Sequence, residues 1–515
     1  MRRLQALRAT VLAGALSVAL MGATLPATAA SAASSAKTGT TYRVDCSQRK
    51  TGDGRSRPFN SLSAVNRHAS FGPGDRILVR RGTTCTGRLQ PRGSGTSARK
   101  IVLGAFGRGA KPILRGDGTP SNTATLTLKN VHDWTVQDLH VTNAGKASST
   151  GAYRSAVLLL NDNVGTLPGM TVQRLTVDHV VSNLASKGAD SREFGGIIAK
   201  TWGHLGGGYD GLKILHNQVT GVGRSGIVVA NHTAEPRAWD DRVRIAYNAV
   251  RAVKGDSIIL RGSRDSRIDH NLSVNGSNMF PCTRCGGISP DTANAGIWPA
   301  ESQRTRIDHN EVYGEHALGG DGEGIDVDRS AVDTVVEYNY LHDNQGGGIL
   351  FCGSLRTTAR FNILQNNQRS AFAFIGSIPA KDTRIYNNTV YNSRKSGAKI
   401  VRYFNGAHGS KISFNNNVLI NYGNRTYLWP TKRTTKANTL VGLHGAGRPT
   451  DSKTSWASPG LKHPGSGRTG FKTLSGYKPR HPSTFPKGVA IPKSVTRDFF
   501  GKKINPAKPP RGAAG

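Results

Sequence analysis

The chain has 515 residues, with 69 Lys or Arg against 32 Asp or Glu, a formal net charge of +37. Such a balance favours acidic partners (polyuronates, anionic cell-wall polymers or nucleic acid) and says nothing of fold. Glycine is frequent, at 63 residues, and methionine rare, at 4. Together with many asparagines and short apolar runs, this predicts many tight turns between short strands. After Leu25 no stretch is apolar and long enough to cross a membrane, so a soluble mature chain is expected.

In chain order, the first element is an export signal over residues 1–32. Arg2, Arg3 and Arg8 make a basic start, an apolar run from Val11 to Leu25 follows, and Ala27-Thr28-Ala29 and Ala30-Ser31-Ala32 are cleavage sites of the A-x-A kind. The expected location is secreted and extracellular. Export permits disulfides. Cys46 and Cys85 are the first expected pair, since both lie in the N-terminal section. Cys282 and Cys285 close on each other, or one of them bonds Cys352, and the odd count leaves one thiol over.

The central region repeats itself. The phrase apolar, any, any, Asn, any, apolar occurs as Ile214-Leu215-His216-Asn217-Gln218-Val219. It returns around Asn248, Asn271, Asn310, Asn339, Asn362, Asn388 and Asn415, at spacings of 31, 23, 39, 29, 23, 26 and 27 residues. A second strand follows a glycine-rich turn in each period, as in Gly226-Ile227-Val228-Val229 and Gly324-Ile325-Asp326-Val327. Apolar positions of period two predict one inward-facing set of side chains. Short strands in units of this length argue for a stacked solenoid. The asparagines are expected to occupy left-handed bends and to hydrogen-bond from coil to coil.

These phrases resemble the secreted bacterial right-handed parallel β-helix proteins of the pectate-lyase-like superfamily. So do the opening Phe71-Gly72-Pro73-Gly74-Asp75-Arg76-Ile77 and the closing Asp498-Phe499-Phe500-Gly501. The resemblance implies an all-β chain with an N-terminal cap and first strands over 42–115, the helix over 116–420, and an irregular C-terminal tail over 421–515. It is specific for fold and not for reaction, since the superfamily includes lyases, hydrolases, epimerases and inert binders. The tail is strongly basic, with 18 Lys or Arg against Asp451 and Asp498, and is expected to adhere to a surface such as a cell-wall polymer.

A β-helix holds long polymers along the outside of one sheet. Aligning coils on their inward Ile places Lys200, Arg261, Trp298, Asp326, Asp328 and Cys352 outward. Residues 290–345 reverse the charge of the chain, with 12 acids against Arg304, Arg306 and Arg329. The centre of this block is Asp321-Gly322-Glu323-Gly324-Ile325-Asp326-Val327-Asp328. Paired carboxylates cleave glycosidic bonds when one is protonated and the other ionised, and crowding like charges separates those states. Asp326 and Asp328, two apart on a strand, share a face at roughly 6.6 Å.

The expected catalytic set is therefore Asp326, Asp328, Asp321 and Glu323. Trp298 is expected to stack on a sugar ring, and Arg261, Lys200 and His316 to bind substrate. No cofactor is required on this reading. The alternative is a calcium-dependent polysaccharide lyase, with Asp321, Glu323, Asp326 and Asp328 as ligands and Lys200 or Arg261 as the base. A third reading is a non-catalytic glycan or cell-wall binder. Weaker candidates are His204, His232, His342, Glu193 and Asp256. The expected partner is a polysaccharide, acidic by preference, with no nucleic acid and no membrane, and the chain is expected to act as a monomer.

Overall fold

Each copy of the asparagine phrase ends one short strand, turns a bend and starts the next, as in Lys213–Leu215 and Gln218–Thr220 around His216-Asn217. The inward Ile214 and Val219 on either side are fully buried. Such a unit cannot bury its apolar residues alone, so it stacks on the next. A computed structural model describes residues 38–515 apart from 120–122, 146–152, 183–191, 234–237, 279–292, 318–320, 376–377, 394–397, 405–409, 424–433, 438, 443–453 and 457. Cys282 and Cys285 lie outside the described residues, as does the expected leader.

The strands form a parallel β-helix. Two fourteen-stranded sheets, one ten-stranded sheet and a four-stranded one run along the stack. Within them strands pair in parallel with the next coil, and like stacks on like: Ile214, Ile245, Ile268, Ile307 and Val336 are successive register partners. Parallel pairing starts at Thr41–Val44 and reaches Thr454–Trp456. Parallel strands thus occur within 42–115, the section expected to hold the cap and first strands, and pairing continues past residue 420. Near the N-terminus a short helix, Leu62–Asn66, is capped by the Ser61 hydroxyl, which accepts from Ala64 N at 3.2 Å. The Cys46–Cys85 disulfide is formed there, and Cys352 is a buried free thiol. No helix among the described residues is long and apolar enough to cross a membrane.

The asparagines do line up, with two corrections. Asn217, Asn248, Asn271, Asn310, Asn339, Asn362, Asn388 and Asn417 form one buried ladder. Each side-chain oxygen from Asn248 onward accepts both the backbone and the side-chain N–H of the preceding asparagine at 2.9–3.0 Å. The last rung is Asn417, not Asn415, because Phe414 pairs with Ile385 and so carries the inward position. Nor do these asparagines bend left-handed. The residue before each does: His216, Tyr247, His270, His309, Tyr338, Phe361, Asn387 and Asn416 have φ of 51–57°. The bend turns the asparagine inward while its predecessor points out, and the outward rings stack, His270 on His309 at 4.9 Å.

The four-stranded sheet continues as isolated bridges through Gln303, Val332, Leu355 and Lys381. Along that edge the left-handed residues alternate in charge: Arg242, Asp265, Arg304, Asp333, Arg356 and Asp382. Arg304 reaches Asp265 at 2.6 Å and Arg356 reaches Asp333 at 2.7 Å. Elsewhere Asp308 accepts from Arg267 at 2.7 Å, and Glu337 takes Arg306 at 2.7 Å and Arg360 at 2.6 Å. Much of the acidic block therefore neutralises arginines of neighbouring coils, which lie 23 to 41 residues away in sequence.

The ten-stranded sheet carries the site. Its strands in chain order are β1 (Ala124–Lys129), β2 (Ser155–Asp162), β3 (Gly195–Trp202), β4 (Ser225–Asn231), β5 (Ile258–Arg261), β6 (Ile297–Ala300), β7 (Glu323–Val327), β8 (Gly347–Phe351), β9 (Ser370–Ile375) and β10 (Lys399–Phe404). A glycine stands at the entry of several of them because the chain passes close to the core there; a Cβ on Gly296 would lie 2.5 Å from Val312 Cγ1.

Asn310→Ala removes one rung and leaves the N–H groups of Asn271 without their acceptor. It is expected to lower unfolding stability by about 3 kcal/mol, since unsatisfied buried donors cost roughly 1–3 kcal/mol each; urea denaturation checks this. A second expectation concerns Glu315, fully buried under the coil with Ser273 Oγ donating at 2.6 Å. Burial pushes its carboxyl up to about 8, against the lowering effect of the Ser273 and Gly276 hydrogen bonds. The folded chain holds this proton and the unfolded chain releases it near the ordinary value. The stabilising contribution is therefore complete below about pH 4.5 and is lost as pH rises towards 8. Glu315→Gln should match the wild type in thermal melts at pH 4 and exceed it at pH 8.

Candidate active site

Alternation along β7 decides what faces out. Ile325 and Val327 sit in the core, so Asp326 between them projects from the outer face. Register with β5, β6 and β8 places Ile259, Trp298 and Leu350 beside it. These residues floor a cleft of about 490 Å³. Along one wall stand Arg192, Ala295 and Asp321, and along the other Arg261, Glu301, Asp328 and Cys352. Of the expected set, Asp321, Asp326, Asp328, Trp298 and Arg261 meet in this cleft. Lys200, His316 and Glu323 do not line it.

Asp326 is 6% exposed, and its Oδ1 has no hydrogen-bond partner. Burial raises this carboxyl well above the ordinary aspartate value, the charges of Asp328, Asp321 and Glu323 raise it further, and Arg192 opposes them. Glu323 is also buried, with Oε2 unpartnered. Burial and Asp321 push it up to about 8, against Arg369 and Arg402. Asp328 is half-buried at the end of the same strand, and the Cys352 thiol hydrogen-bonds its carboxylate. Burial raises that thiol, and Asp326 and Asp328 raise it further. Burial thus favours the protonated forms of Asp326 and Glu323, beside the more accessible Asp328.

Trp298 departs from expectation. It is almost fully buried, with Nε1 donating to Asp256 Oδ1 at 2.8 Å, and the Arg192 guanidinium lies 5.2 Å from its ring centroid. The ring is therefore a prop for a cation and not an open platform for a sugar. Asp256, fully buried, also lies 3.4 Å from Arg224 and 3.8 Å from Arg192. Arg192 is a cleft residue that sequence reasoning missed, as are Glu301 and Arg329. Arg192 lies before β3, outside the strand pattern on which the outward column was aligned.

The other candidates have identifiable partners. Arg261 pairs with Glu301 at 3.1 Å. Lys200 lies 3.4 Å from Glu193, which also contacts His232, and His232 stacks on Trp202 at 4.6 Å. Of this group, Glu193, next to Arg192 and before β3, lines the cleft with Asp326, whereas Lys200 and His232 do not. His342 is buried between Asp343 and Glu311, on the sheet covered by the tail. His316 is half-buried, with its backbone N–H on Gly276 O, and His204 is exposed. Among the described residues, no group of three or more His, Cys, Asp or Glu side chains is placed to hold a metal ion.

The model for the family described as the right handed beta helix region matches residues 204–378. No curated protein matches the sequence. Among solved structures, the chain is similar to the GH136 lacto-N-biosidase from Eubacterium ramulus. In its native form that structure is 22% identical over 72% of this chain and 68% of that one, with a TM-score of 0.61. The chain is also similar to XylC, solved in complex with xylose, at 12% identity over 92% of this chain and 98% of that one, with a TM-score of 0.56. At such identities the likeness is one of fold. Coil register, parallel pairing and these matches agree that the chain is a right-handed parallel β-helix protein.

Proposed function

We propose that the chain is a carbohydrate-active enzyme that cleaves glycosidic bonds of a polysaccharide by carboxylate chemistry in the cleft on β5–β8. One observation carries the reading: a buried, proton-retaining Asp326 and a second carboxylate, Asp328, open from one strand into one cleft. Asp326 gives its proton to the leaving glycosidic oxygen as general acid. Asp328 acts on the opposite partner, either activating a water or bonding the anomeric carbon. Burial and the neighbouring Asp328 and Asp321 favour the protonated form of Asp326. Arg192, seated on Trp298 and close to Asp256, supplies the fixed cation that orients a hydroxyl or carboxylate of the sugar. The substrate class favoured by the chain's overall charge is an acidic polymer, and export to the cell exterior fits such a target.

A panel of neutral and acidic polysaccharides tests this, with reducing ends and ultraviolet absorbance read together. New reducing ends without new absorbance support hydrolysis, unsaturated absorbing products replace it with elimination, and no turnover on any member sinks the enzyme reading. On a substrate so identified, Asp326→Asn should lower kcat about 10²–10⁴-fold with little change in KM, as expected for loss of a general acid.

The pH profile should show the same group. Activity needs Asp326 protonated, so the raised carboxyl keeps the enzyme active at neutral pH and turnover falls on the alkaline side as that proton leaves. Because Arg192 favours the ionised form, Arg192→Gln should move this alkaline limb to higher pH.

A further inference from the structure

The tail supplies a second surface. Residues 458–515 contain 12 Lys or Arg and a single acid, Asp498. They are folded onto the helix. Leu461, Leu474, Tyr477, Phe485 and Phe499 pack with Tyr340, Ile363, Val418 and Ile420 on the outer face of the second fourteen-stranded sheet. Gly470 N donates to Glu311 at 2.7 Å, and Tyr477 OH donates to Gln365 at 2.6 Å. With the apolar side turned inward, the cations are turned out: eleven of the twelve are exposed, and only Arg511 is half-buried. Among the described residues none of the twelve forms an ion pair with an Asp or Glu side chain.

We propose that this folded tail is a docking surface for an anionic polysaccharide, its ammonium groups meeting the repeating carboxylates of a uronate polymer, on a different face from the cleft. Uncompensated charge of one sign on a rigid layer costs self-repulsion, which an opposite polyelectrolyte relieves. Eight of the twelve are lysines, compact point charges on flexible stems that meet anionic groups without a fixed bidentate geometry, as suits a flexible polymer of repeating carboxylates. Three of the four arginines, Arg480, Arg497 and Arg511, spend N–H groups on backbone carbonyls. Nucleic acid fits less well, because the exposed large apolar side chains among the described residues, Leu205 and Tyr247, both lie outside the tail. The tail therefore offers no exposed Phe, Tyr or Trp ring on which bases would stack, its exposed aromatic rings being the imidazoles of His463 and His481.

The test uses the full chain and a fourfold variant, Lys472→Gln, Lys487→Gln, Lys493→Gln and Lys503→Gln, all at exposed positions. The probes are polygalacturonate, neutral dextran and duplex DNA at about 50 mM and about 0.5 M salt, the second of which screens surface charge almost completely. The expected result is salt-sensitive binding of polygalacturonate and none of dextran, with affinity about tenfold lower or less than that of the wild type in the variant and an unchanged melting temperature. Asp326→Asn should bind like the wild type, so failure of the cleft chemistry and failure of the docking surface are read separately. Equal affinity of variant and wild type, equal binding of dextran, or tighter binding of DNA than of polygalacturonate at the same salt would each overturn the proposal.

Discussion

Coil-to-coil register is the constraint on which the rest depends, and the buried asparagine ladder sets it. At each step one side-chain oxygen takes two N–H groups from the rung before it, so a shifted coil would leave three buried polar groups unpaired at once. A left-handed residue immediately before each asparagine makes the ladder geometrically accessible. His, Tyr, Phe and Asn occupy that strained position, and stacking of successive rings offsets part of the strain.

Register then creates the cleft. Trp298, Asp326 and Leu350 are separated by 24 to 28 residues in sequence, yet they stand on adjacent strands because Ile297, Ile325 and Ile349 are paired. Each side chain faces outward because its paired neighbour faces inward. A slip of one residue on β7 would bury Asp326 in the core and expose Ile325 and Val327. The chemistry of the site is thus inherited from the apolar stack beneath it.

The charges divide into three tasks. Alternating Asp and Arg along the edge of the small sheet, and arginines clasping Asp308 and Glu337, tie neighbouring coils. On β7 one oxygen each of Asp326 and Glu323 lacks a hydrogen-bond partner, and burial favours their protonated forms. In the tail, among the described residues, none of the cations of 458–515 forms an ion pair with an Asp or Glu side chain. The formal charge of +37 hides this separation, and an average over the chain describes none of the three surfaces.

What the sequence by itself determined was whatever is periodic. The asparagine spacing, the inward Ile column and the glycine entries announced a stacked solenoid, and alternation from that column put Asp326 and Asp328 on one outer strand. Period-two reasoning works here because strand geometry is local. It failed where the answer depended on what covers a side chain. Trp298 reads as an open platform in sequence, but Asp256 and Arg192 come from other coils to hold and cap it. Asn415 and Asn417 look equally good as the last rung until Phe414 is paired with Ile385. The acidic block looked like one site because its arginine partners lie a coil away. Only the tertiary structure decided these points, since burial, ion pairing and the proton on Asp326 depend on neighbours that sequence distance does not reveal.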